Sequence, residues 1–180
     1  MKTNNPITLK PASFGSISTG TLRTQDLLSA FISEGESQQL RNGAFLATPE
    51  GMPLRDRLAK VIGEAQDAFA DDGETLSESG EEFGEEIVND FCDVLSEFAP
   101  AYGDFGAHCG DGADFGYWVD VESVKEQVEF VSSRRVEFPA DDFRGEWLHV
   151  NERGNCALYV RESDETKPDG YTDRELWSIV

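Results

Sequence analysis

Up to about residue 100 the apolar positions of this chain recur at helical spacing, and after it they fall in short strand-like runs. Leu27, Leu28, Phe31 and Ile32 predict a short first helix, with Thr24 as its N-cap and Asp26 in its first turn. The Ser, Thr and Gly residues before it read as an extended lead-in, and the span from Gly35 to Pro53, punctuated by Gly and Pro, reads as loop. Leu54, Leu58, Val61, Ile62, Ala65 and Phe69 give a second helix from about Pro53 to Ala70. Asp71–Ser79 is acidic and poor in apolar residues, which predicts a mobile linker.

The third helix carries the strongest local signals. Ser79 and Glu82 have the spacing of a capping box, Phe83, Ile87, Phe91, Val94, Leu95 and Phe98 form an apolar stripe, and Pro100 follows. Its other face holds Glu82, Glu86, Asp90, Asp93 and Glu97 at spacings of three and four. At ~1.5 Å rise per residue that row runs about 22 Å. Like charges so placed repel, costing about 0.2–0.5 kcal/mol per pair.

A glycine-rich segment, Tyr102–Trp118, reads as tight turns between helix and sheet, anchored by Phe105 and Phe115, and Tyr117–Val121 is strand-like. Trp147–Val150 and Cys156–Arg161 flank Asn151–Asn155, whose Gly154 suits a hairpin turn. A charged loop, Glu162–Arg174, precedes a last strand, Leu176–Val180. The expected fold is therefore α+β: N-terminal helices over about 21–100, the glycine-rich segment 102–118, and an antiparallel β-meander within 117–180, all in one domain.

Charge changes this picture most. Between Val61 and Val124 there is no Lys or Arg against eighteen Asp and Glu. Residues 1–60 carry a formal +2, residues 61–124 carry −18 and the remainder −5, for a total of −21. Such regional clustering demands one strongly negative surface, whose self-repulsion a basic partner would offset. It also argues against direct binding to nucleic acid or anionic lipid. Hydrophobic residues at 38% suffice for a core. No apolar run approaches the ~20 residues of a membrane helix, and MKTNNPITLKPASFGS lacks the apolar stretch of a secretory leader. The three scattered cysteines, Cys92, Cys109 and Cys156, form no disulfide framework, which points to a reducing cytoplasm.

Candidate chemistry is sparse. Asp-Phe-Gly occurs at Asp104–Gly106 and Asp114–Gly116, but the chain lacks a kinase's glycine-rich loop, its lysine strand and its HRD loop. Asp104, Asp111 and Asp114 are the residues a calcium ion would use, although EF-hand spacing is absent and the β-roll-like string occurs once. His108, Cys109, His149, Cys156 and Cys92 have zinc-type donors without paired spacing. Cys92, beside the apolar stripe, reads as core, and Cys109 with His108 is the one pair a small hydrolase could use. Neither a metal nor a cofactor is expected.

Three strings carry a likeness: GTLRTQDLL at Gly20–Leu28, FGAHCGDGADFGYW at Phe105–Trp118, and HVNERGNCALYV with RELWSIV in the last third. They resemble small uncharacterised accessory proteins of bacteriophages and plasmids, in which a GDGADFG segment precedes a terminal hairpin. The likeness omits the acidic middle and brings no catalytic residue. It implies a mobile-element protein acting against host defence. Joined to the charge, it predicts an acidic inhibitor that presents Glu82, Glu86, Asp90, Asp93 and Glu97, in DNA-like fashion, to a basic nucleic-acid-binding protein of the host. The competing readings are a regulatory or structural protein whose acidic surface serves solubility, and the Cys109/His108 hydrolase.

Overall fold

A computed structural model describes residues 7–133 and 138–179. In chain order the elements are β1 (Gly15–Thr19), α1 (Thr24–Leu46), α2 (Met52–Asp67), α3 (Glu78–Ser96), β2 (Gly103–His108), β3 (Asp111–Val119), α4 (Val121–Gln127), β4 (Phe130–Ser132), β5 (Gly145–Val150), β6 (Cys156–Ser163) and β7 (Tyr171–Ile179). They form two compact units. The first takes the described residues up to Ala99 together with Gly103–Trp118, and the second takes Pro100–Tyr102 and the described residues from Val119 on.

The first unit packs α1, α2 and α3 with a small sheet of order β1-β3-β2. Phe31 lies at the centre of its core, with ring centroids 5.0 Å from Phe105, 5.6 Å from Phe115 and 5.9 Å from Phe91. Leu28, Leu58, Ala65, Leu95 and Phe98 close around them, fully buried. The glycine-rich segment is thus not a run of turns: Phe105 and Phe115 sit on strands, joined by the two residues Cys109 and Gly110, a connection short enough only for a hairpin. The lead-in is extended as expected, and its β1 pairs antiparallel with β3.

Sequence and structure part most clearly along α1. Gly35 to Pro53 was expected as loop, yet the helix runs unbroken to Leu46 and is preceded by Arg23, not Thr24, at the N-cap. Gln38 and Asn42 there face inward and are satisfied. Asn42 accepts from the Lys10 N–H at 2.7 Å, donates to the Lys10 carbonyl at 3.2 Å, and also donates to Gln38 Oε1 at 3.0 Å. Gln38 in turn donates to Glu34 at 2.6 Å. Buried polar groups so bonded are tolerated in a core. Tyr117 donates to Glu34 at 3.1 Å, and burial, then the Glu34 charge, pushes its phenol far above the ordinary value.

The second unit is a sheet of order β4-β5-β6-β7. The β5–β6 hairpin turns where the sequence places it, with Gly154 at φ 85°, and β6–β7 is antiparallel. The expected pure meander is wrong at one edge: β4 runs parallel to β5, so the sheet is mixed. A parallel neighbour needs a crossover of about a dozen residues, and 133–144 supply that length. The helix-first order is also inexact, because β1 precedes α1 and α4 interrupts the strands. Strands β6 and β7 extend to Ser163 and from Tyr171, leaving a short loop where Glu162–Arg174 was expected.

The two faces of this sheet are held differently. On one, Leu148, Leu158 and Trp177 are buried, the Trp177 indole donates to the Ala101 carbonyl at 2.8 Å, and the Tyr102 hydroxyl bonds the Glu146 carboxylate. That bond, with burial adding, raises the Tyr102 phenol to about 12. On the other face Arg161, 2% exposed, lies directly across from Asp173. Its guanidinium forks onto Asp173 with two bonds of 2.8 Å and donates to the Pro139 and Ala140 carbonyls at 2.8 and 3.1 Å. The Tyr171 ring lies 3.8 Å below it. This planar fork is the geometry that suits arginine to a buried pair.

Candidate functional site

The seat of α3 decides which of its residues reach solvent. Its N-cap is Ser77, whose hydroxyl accepts from the Gly80 N–H at 3.1 Å, so the expected Ser79–Glu82 capping box does not form. The segment before it is tied down: Asp72 accepts from the Glu74 and Thr75 N–H groups, both at 2.9 Å, and Phe69 bridges Leu76. Those bonds, the one from Thr75 foremost, hold the Asp72 carboxyl below its usual range.

Glycine then takes the buried side of the first two turns. A Cβ on Gly80 would sit 2.0 Å from the Ala68 carbonyl oxygen, and one on Gly84 2.6 Å from Thr24 Cγ2. With that side pressed against its neighbours, Phe83 points away from the core. It is 48% exposed, whereas Phe91, Leu95 and Phe98 are fully buried as the stripe predicts. Ile87 and Cys92 are half-buried. Burial, with Asp93 adding, pushes the Cys92 thiol up to about 11, which leaves it an unreactive packing residue.

Glu82, Glu86, Asp90, Asp93 and Glu97 are all exposed, the first four on α3 and Glu97 at its C-cap. Sequence reasoning missed what lies alongside. Arg57 on α2 pairs with Glu97 at 3.0 Å, and Lys60 pairs with Glu64 at 2.7 Å. The Glu64 bond, and the charges of Glu64, Asp90 and Glu86 after it, raise the Lys60 ammonium's pKa. A readable signal existed: Arg57 and Lys60 stand three apart at the very end of the net-basic first third, on the helix that leads into the acidic stretch. Both pairs are largely solvent-exposed and contribute little to stability. Among the described residues, Glu82, Glu86, Asp90 and Asp93 have no ion pair.

Between α2 and α3 lies a cleft of about 370 Å³. Its lining is apolar at Ala68, Phe83 and Ile87 and acidic at Glu64, Asp67, Glu86 and Asp90. A smaller cleft of about 150 Å³ continues beside Arg57, Asp90 and Asp93.

The other sequence candidates do not assemble. Among the described residues no group of three or more His, Cys, Asp or Glu side chains could hold a metal ion. Asp111 caps its own turn by accepting from the Ala113 N–H at 3.0 Å, while Asp114 accepts from the Ser16 hydroxyl at 3.0 Å. His108 Nδ1 accepts from the Gly110 N–H at 3.1 Å, and its ring meets Trp118 edge-on at 4.7 Å. Neither contact joins it to the exposed Cys109 thiol. His149 approaches the Ser132 hydroxyl at 3.3 Å on the second unit.

Compared with protein-family models, with curated proteins and with solved structures, the chain matches none. No helix among the described residues is long and apolar enough to cross a membrane. The functional reading therefore stands on the site itself.

Proposed function

We propose that this chain is an acidic binding protein, an accessory factor of a mobile genetic element that occupies the basic, nucleic-acid-binding surface of a host defence protein. The observation that carries the reading is the row Glu82, Glu86, Asp90 and Asp93, exposed on one helix and without ion-pair partners among the described residues. Uncompensated like charge raises the energy of the folded chain, and a cationic surface relieves it. One helix is too sparse to imitate a duplex alone, with one charge per roughly 5 Å against ~1.7 Å for DNA. The exposed carboxylates of Asp67, Asp71, Asp72, Glu74, Glu78, Glu81 and Glu85 supply the additional elements that such imitation requires.

The protein, immobilised and exposed to host extract, should capture a basic protein at ~50 mM salt and lose it by ~200 mM, because exposed charge pairs are screened within about 10 Å. Added duplex DNA should compete. Capture indifferent to both salt and DNA sinks the reading.

A further inference from the structure

The cleft between α2 and α3 deepens that reading and rests on it. We infer that this cleft receives the apolar edge of a basic amphipathic helix from the partner protein, with Phe83 as the contact that anchors it. Three observations converge. Phe83 is a large aromatic side chain left 48% exposed, lining the cleft with Ile87 and Ala68. The volume, about 370 Å³, lies at the lower end of the ~300–1,000 Å³ typical of ligand pockets, and a few large side chains would fill it. Four carboxylates, Glu64, Asp67, Glu86 and Asp90, line it against the single cation Lys60, which Glu64 already engages. The occupant must therefore be apolar where it enters and cationic around that edge.

The walls settle its backbone. Along their inner turns both are helices, whose N–H and C=O groups are spent on their own ladders, so an extended peptide would find few partners for its main chain. A helix arrives with its backbone already satisfied and lays apolar side chains at i, i+3, i+4 and i+7 into such a groove. Arg and Lys on its flanks meet the acidic lining. Carboxylates then draw the partner in, while the cleft selects a basic surface that carries an apolar ridge over one that does not.

Two synthetic peptides of identical Leu and Arg content test this, one ordered as an amphipathic helix and the other scrambled. Fluorescence anisotropy against the full chain at ~150 mM salt, where charges are screened beyond about 8 Å, reads both affinities. The ordered peptide should bind about tenfold more tightly or better, the effect of one well-seated anchor. Phe83→Ala should reduce it to the scrambled level without altering scrambled binding, and Phe83→Leu should restore most of the difference. Glu86→Gln with Asp90→Asn should weaken both peptides. Equal binding of the two peptides, or full affinity in Phe83→Ala, overturns the cleft proposal and leaves the acidic reading standing. Unchanged binding after charge removal overturns the acidic reading, and so does binding of neither peptide, which takes the cleft with it. A wild-type dimer in sedimentation that Phe83→Ala dissolves assigns the cleft to a second copy of this chain and overturns the proposal.

Discussion

The two units put the same abundant residue type to opposite uses. In the helical unit the carboxylates of α3 stay outside a core of Leu28, Phe31, Leu58, Phe91 and Phe98, and among the described residues four of the five in its row form no ion pair. In the β unit Asp173 is a ligand for an arginine buried among strands, with carbonyl oxygens taking the remaining donors. The contrast shows that net charge alone says little about function. A carboxylate whose partner lies on the facing strand is part of the fold, while one that is exposed and forms no ion pair is available to something else.

The sharpest way to test the helical side is its core. Phe91→Ala should cost about 3–5 kcal/mol through lost burial and the cavity left among Phe31 and its neighbours, measured by urea denaturation. A cost under about 1 kcal/mol, within the range of surface substitutions, means that α3 is not seated as described.

The β side should break at Asp173. Asp173→Asn leaves the Arg161 charge buried without its counterion, and the lower end of the usual 3–5 kcal/mol applies because the Asp173 side chain is 26% exposed. Acid should do the same reversibly. The bond from Arg161 holds the Asp173 carboxyl below its ordinary range. A depressed folded pKa contributes stability that is complete above the unfolded value of ~3.9 and vanishes as pH falls through the folded one. The advantage of wild type over Asp173→Asn in thermal melts should stay level from neutrality to about pH 5 and close below about pH 4. An advantage that persists at lower pH denies the ion pair its role.

The smallest expected effect is the most discriminating. Glu86→Gln, Asp90→Asn and Asp93→Asn together should leave stability unchanged or raise it by ~0.2–0.5 kcal/mol per relieved pair. If the triple variant melts markedly lower than wild type, these acids belong to the fold after all, and the contrast between the units disappears.

How far the sequence could be read follows the same division. The α3 acids and the apolar residues from Phe91 on were legible because both obey one helical period on opposite faces. The β5–β6 hairpin was legible from Gly154 and its flanking strands. The second half of α1 was hidden because Gln38 and Asn42 look like solvent residues until Glu34 and the Lys10 backbone bond them. Arg161 was hidden for a related reason: a strand's alternation gives two faces but not which of them the 138–140 segment covers. Phe83 kept the period of its stripe and still faces outward, because Gly80 and Gly84 claim the inner side of the first two turns. Two glycines four apart in a helix, each costing about 1 kcal/mol in propensity, were the sign of a close approach there.

Those two glycines have a consequence for how this protein can change over generations. A helix positioned by the side chains it lacks owes little of its placement to those it turns outward. Substitutions at Glu82, Glu86, Asp90 or Asp93 leave Gly80 against Ala68 and Gly84 against Thr24. Selection can therefore redraw the spacing, density or even the sign of the outer surface without renegotiating the angle at which it is held. That separates the scaffold, which must persist, from the lettering on it, which can be rewritten one codon at a time.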